Sequence, residues 1–135
     1  MRTKLMFAVL WALAMSQHSG AAEMKCPVAN GIARTECLEK NLKAARIELN
    51  QVFGKVIARI NSKSNDHVPT PERLKWKAEA EAAQQAWKTY SDTECQSIIP
   101  YLWWGGSGTG GAVIGCALQK TKARIKELRE AYDIE

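Results

Sequence analysis

Histidine is nearly absent: His18 and His67 are the only two in 135 residues. His67 lies far from every cysteine in the chain. A base for a serine nucleophile, or an imidazole-rich metal centre, therefore has almost no raw material. Cysteine is scarce too, and its spacing excludes more. Cys26, Cys37, Cys95 and Cys116 stand 11, 58 and 21 residues apart. A structural zinc site needs close pairs such as C-x2-C, because two ligands must reach one ion from one turn. No close pair exists, so no metal is expected. The glycines after Trp104 are not followed by the lysine of a phosphate loop. The window Gly105-Gly106-Ser107-Gly108-Thr109 lacks the final glycine of a nucleophile elbow, and no strand precedes it. Asp92 and Glu94 are too close in sequence to share a helix face, which argues against a paired-carboxylate site. Period-2 strand patterns, internal repeats and a second domain are all missing. These absences point away from an enzyme and from any cofactor.

Long apolar runs are missing as well, with one short exception. Leu5 to Met15 is an unbroken apolar run of 11 residues, where a membrane span needs about 20. Arg2 and Lys4 precede it, Ser16 to Ser19 end it, and Gly20-Ala21-Ala22 offers small residues for cleavage. This is the three-part pattern of a secretory signal peptide. Met24 and Lys25 before Cys26 do not fit a lipoprotein cleavage site. Residues 1–22 are thus expected to be a signal peptide, and residues 23–135 a mature protein of the periplasm or the exterior. The signal segment carries two of the 19 basic residues and none of the 14 acidic ones, so the mature net charge is 17 − 14 = +3. A mild, scattered excess of this kind calls for neither nucleic acid nor stable membrane insertion. It leaves the oligomeric state open. Four cysteines in a small exported domain imply two disulfides.

Residues 23–33, with Pro27, Asn30 and Gly31, read as a loop. From about Arg34 the pattern is helical. Leu38, Leu42, Ala45, Leu49, Val52, Val56 and Ile60 form an apolar seam along one face, widened by Ile47, Phe53 and Ile57. Thr35 is a candidate cap, and Gly54 marks a candidate close contact. The stretch from Asn61 to Pro69 is rich in breakers and connects to a second helix. Thr70-Pro71 starts that helix, since proline at the first helical position loses nothing. It is expected to run to about Cys95 and to present Trp76, Ala80, Ala83, Trp87 and Tyr90 on one face. Trp76, Trp87 and Tyr90 are assigned to the core with Leu49 and Leu128. A third helix is expected from Cys116, with Leu118, Thr121, Ile125, Leu128 and Tyr132 inward.

The predicted fold is all-α: an up-down-up three-helix bundle stapled by two disulfides. A long Gly/Trp-rich loop, Gln96 to Gly115, joins helices two and three. Such a bundle brings Cys37, Cys95 and Cys116 to one pole. Cys95–Cys116 and Cys26–Cys37 are the expected pairs, although Cys37 shares its pole with the other two and so has other candidates. Closing the Cys95–Cys116 ring stabilises by roughly 3 kcal/mol in the chain-entropy model. Within the loop, Trp103 and Trp104 are the candidate partner anchors, because tryptophan is enriched at binding hot spots. Ser107 and Thr109 are the candidate hydrogen-bonding groups around them. The competing reading makes the tryptophans a lid on the open pole.

Ala83-Gln84-x-Ala86-Trp87-x-x-Tyr90-x-Asp92-x-Glu94-Cys95, then Gly105-Gly106-Ser107, then Cys116-x-Leu118-x-x-Thr121-x-x-Arg124-x-x-Glu127-Leu128, resembles the LprI-like lysozyme inhibitor family. Upstream, Cys26, Glu36-Cys37 and Ala44-Ala45-x-x-Glu48-Leu49-Asn50 are similar to it too. The resemblance implies an exported, helical, cysteine-bearing protein that binds a protein partner, with lysozyme the candidate. A structural or stress-related envelope protein with another partner is the alternative. The chain departs from the family at Arg46, where aspartate is usual, and at Gln85 and Ser91, where arginine is usual. Arg46 and Arg124 are both expected about 12–14 Å from the common pole at 1.5 Å per residue. Two like charges would then face each other where the family pairs opposite ones.

Overall fold

A computed structural model describes residues 25–26 and 31–135. The expected signal peptide and the loop residues Pro27 and Asn30 lie outside these. The described chain is helical without strands. Helix α1 spans Gly31–Ile60, α2 Thr70–Asp92, α3 Ile99–Trp103 and α4 Thr109–Tyr132. A π-helical stretch, Thr93–Ile98, joins α2 to α3. No described helix is long and apolar enough to cross a membrane.

The seam of α1 is the centre of the core. Leu42, Ala45, Leu49, Val52, Val56 and Ile60 are all buried, at steps of three and four. They meet Leu118, Ile125 and Leu128 of α4, with Phe53, Ile57, Trp87 and Ile114 packed around them. Most of the tertiary contact is between α1 and α4, and α2 touches each of them more sparingly. Ile47, expected to widen the seam, is exposed. It sits two residues past Ala45, about 200° round the helix, on the solvent side. Thr35 is not a cap either. The helix starts a turn earlier, and Thr35 Oγ1 donates back to the Gly31 carbonyl at 2.6 Å. Gly54 marks no close contact, because a Cβ there would have no neighbour within 4 Å.

Asn65 Nδ2 donates to the Arg59 carbonyl at 2.7 Å, which also accepts from the Ser62 N–H and hydroxyl, so this end of α1 is closed by turn and side-chain donors. Asp66 pairs with Arg73 at 2.9 Å across the start of α2. Pro71 lies in the first turn of α2, as expected, but Thr70 gives no side-chain cap.

Two core assignments are overturned on α2. Tyr90 is 56% exposed and Trp76 is 37% exposed. The reason is the narrow footprint of α2, which buries only Ala80 and Ser91 fully. Aromatics on either side of that line are left at the rim. There, Trp76 stacks on Tyr132 with ring centroids 6.3 Å apart. Trp87 is partly buried against the core, and Leu49 and Leu128 lie within it.

Both disulfides are present. Cys26–Cys37 ties the segment before α1 to its second turn, and Cys95–Cys116 ties the π-helical stretch to α4. The expected twenty-residue loop is not there. The chain stays helical through Trp103 and resumes helix at Thr109, seven residues ahead of Cys116. Glycine weakens a helix by about 1 kcal/mol per residue, but tertiary contact outweighs that here. Ile114 packs on the core, and a Cβ at Gly111 would sit 3.5 Å from Thr35 Oγ1 of α1. The break in the helices is reduced to Trp104–Gly108.

Candidate functional site

That five-residue break makes a helical hairpin tip. Pro100 lies in the first turn of α3, directly after the π-helical stretch, whose last bond runs from the Ile99 N–H to the Glu94 carbonyl. Trp104 ends α3 in the left-handed region at φ 48°, and Gly105 follows at φ 70°. Glycine adopts such angles freely, whereas a bulky residue does so at a cost of order 1–2 kcal/mol. The turn is closed by backbone bonds. Gly106 N–H donates to the Trp103 carbonyl at 3.0 Å, and Thr109 N–H donates to the Gly106 carbonyl at 2.9 Å.

The side chains at this tip are apolar and largely uncovered. Trp104 is 92% exposed, Tyr101 77%, Leu102 69% and Trp103 50%, with Ile98 beside them. Ile98, Tyr101 and Leu102 follow the i, i+3, i+4 spacing of one helical face. The stretch Gln96–Gly115 holds no Asp, Glu, Lys, Arg or His. The exposed apolar side chains at the tip are thus contiguous and carry no charge.

The two tryptophans differ. A Cβ built on Gly108 would lie 2.6 Å from Cζ3 and 3.1 Å from Cε3 of Trp103. The Trp103 ring therefore rests on Gly108 and fills the inside of the turn. Trp104 stands free of the fold. Ser107 is exposed. The Thr109 hydroxyl proton is engaged, donating to the Gly106 carbonyl at 2.7 Å, so Thr109 offers a partner only its lone pairs. Ile98, Tyr101 and Leu102 were not among the sequence-selected site residues. Their signal was the run of apolar residues before the glycines, which becomes a surface face only once that run is known to be helical.

The residues that carry the family resemblance sit mainly elsewhere. Arg124 Nε donates to Gln84 Oε1 at 3.0 Å, and its guanidinium lies 6.0 Å from the centre of the Trp87 ring. It also pairs with Glu127 at 2.9 Å. Lys120 Nζ donates to the Tyr90 hydroxyl at 3.0 Å and lies 4.3 Å above that ring. These contacts clasp α2 to α4 and compensate for the sparse apolar contact between them. Arg124 is thus directed at α2, while Arg46 lies on the exposed side of α1. The expected face-off of the two cations gives way to this clasp. On the other side of α4, Glu48 pairs with Arg129 at 2.9 Å. An open depression of about 420 Å³ there is lined by Glu48, Lys122, Ile125, Lys126, Arg129 and Glu130. Its acids and bases largely pair with one another, which leaves no strong preference for an ion of either sign.

A family model described as lysozyme inhibitor LprI matches residues 24–128. No curated protein and no solved structure matches the chain.

Proposed function

We propose, given that the chain belongs to the lysozyme inhibitor LprI family, that it is a protein-binding module which inhibits a lysozyme-type muramidase. In this reading residues 1–22 are a signal peptide, residues 23–135 work in the periplasm or outside the cell, and the long helices form an up-down-up frame for the tip. The two disulfides fit an oxidising compartment. The protein acts by occupying its partner and performs no chemistry of its own.

The observation that carries the proposal is the uncharged apolar tip, with Trp104 at its extremity and a disulfide at its base. Trp103, Trp104, Ser107 and Thr109 are its contact residues, and Ile98, Tyr101 and Leu102 extend the surface. Pre-organisation by the disulfide and by the Trp103–Gly108 contact lowers the ordering cost of binding. The tip also answers a charge problem. Lysozymes are typically basic, and this protein carries an excess of basic residues. A contact through twenty residues without charge keeps the two sets of cations apart.

The test is a pull-down of the mature, oxidised protein against lysozymes of several classes, paired with a lysis assay on bacterial cell walls. Capture of at least one lysozyme and suppression of its lysis are expected. Replacing both Trp103 and Trp104 with alanine should weaken capture at least about tenfold, or 1.4 kcal/mol. Failure to bind any lysozyme refutes the proposal.

A further inference from the structure

A muramidase hydrolyses a glycosidic bond, and such enzymes place two carboxyl groups on either side of it. At least one is ionised in the resting enzyme. The floor of the substrate cleft is therefore concave, sugar-binding and locally negative, even when the enzyme as a whole is basic. A protein segment that enters such a cleft must project, must carry no carboxylate, and gains from N–H or O–H donors and flat apolar faces.

The hairpin tip meets each requirement. It contains no carboxylate between Gln96 and Gly115. The indole N–H groups of Trp103 and Trp104, the Tyr101 phenol and the Ser107 hydroxyl are donors, and all four residues are exposed. Among the described residues Trp104 is the most exposed large apolar one, and it sits at positive φ. The opposite side of α4 is less suited, because Glu48 and Glu130 line its open depression. From this, and resting on the muramidase reading above, we infer that the tip enters the substrate cleft itself, with Trp104 leading between the catalytic carboxyl groups. Inhibition is then competitive with the glycan.

Charge substitution at Trp104 separates this from any contact elsewhere on the enzyme. The enzyme's overall positive charge favours Trp104→Glu over Trp104→Lys. The local carboxylates of the cleft favour the reverse. Both variants keep the fold, since the side chain they replace lies outside the core. With a soluble chito-oligosaccharide substrate, wild-type protein should raise KM and leave kcat unchanged. The inhibition constant of Trp104→Lys should be at least about tenfold tighter than that of Trp104→Glu, as expected when a unit charge changes sign within a few ångströms of a carboxylate. Inhibition that lowers kcat alone, or a Glu variant as potent as the Lys variant, overturns cleft entry and leaves the inhibitor reading standing. Wild-type protein that binds no lysozyme overturns both. Trp104-dependent co-sedimentation with phosphatidylethanolamine–phosphatidylglycerol vesicles, without lysozyme binding, assigns the tip to a lipid surface and also overturns both.

Discussion

One chemical change, Gly→Ala, should have opposite signs at Gly54 and Gly108. Gly54 lies inside α1 on its exposed side, with open space where a Cβ would go. Alanine there removes only the helix penalty of glycine and should stabilise by about 1 kcal/mol. At Gly108 the backbone, at φ −83° and ψ −9°, is also compatible with alanine. That contributes about 0.4–1 kcal/mol through the unfolded state. The new Cβ, however, would meet the Trp103 ring at 2.6 Å, about 1 Å inside an ordinary carbon–carbon contact. The ring must leave its seat. A half-exposed tryptophan covers roughly 100 Å², which at about 25 cal/mol per Å² sets an upper limit near 2.5 kcal/mol. Displacement at about 1–2 kcal/mol against the glycine gain of about 0.4–1 leaves Gly108→Ala destabilised by up to about 1.6 kcal/mol. The two variants should therefore differ by roughly 1–2.6 kcal/mol, several degrees in Tm for a domain of this size. Urea unfolding followed by circular dichroism measures both, and acrylamide quenching in a Trp104→Phe background, where Trp103 is the most exposed of the described tryptophans left, reports on Trp103. Equal stabilisation of the two variants, with unchanged quenching, would refute the seating of Trp103 on Gly108.

Further outcomes follow from the same contacts. Cys95→Ala with Cys116→Ala should cost about 3 kcal/mol, from the entropy of a ring whose ends are 21 residues apart; denaturant midpoints with and without reductant check this. Trp87→Ala should cost about 2 kcal/mol, below the 3–5 of a fully enclosed aromatic, because Trp87 is only partly buried; a loss under about 0.5 kcal/mol would remove it from the α2–α4 contact. A double-mutant cycle on Gln84 and Arg124 should show a coupling of about 1 kcal/mol, the usual worth of such a hydrogen bond, and additivity would show that the clasp does not hold α2. Lysozyme affinity should hold steady or rise between 50 and 500 mM NaCl, because salt screens repulsion between two basic proteins while the uncharged tip is unaffected. A steep fall with salt would place the contact on charged groups instead.

The local, periodic and covalent features of this protein were legible in its sequence. Leu42 to Ile60 shows the stripe of α1 because a helix has one period and the seam keeps it. The presence of two disulfides follows from an even cysteine count in a chain with an export-like start; the bracket of Cys95 and Cys116 favoured one pairing, but Cys37 shares their pole, and only the structure joins it to Cys26. Proline at position 71 announced a helix start, since no later position tolerates it as well. What the sequence did not determine depends on neighbours far along the chain. Glycines 110, 111 and 115 argue locally for a loop, and only the approach of α1 and the packing of Ile114 make them helical. The faces of α2 were misjudged because periodicity reports which residues share a side, not how wide a strip the rest of the protein covers. That strip includes Ala80 and Ser91 and leaves Trp76 and Tyr90 at its rim. The sequence marks Trp103 and Trp104 as a pair. Tertiary structure separates them, because one ring finds Gly108 to rest on, and the other, held in a left-handed turn, finds only solvent.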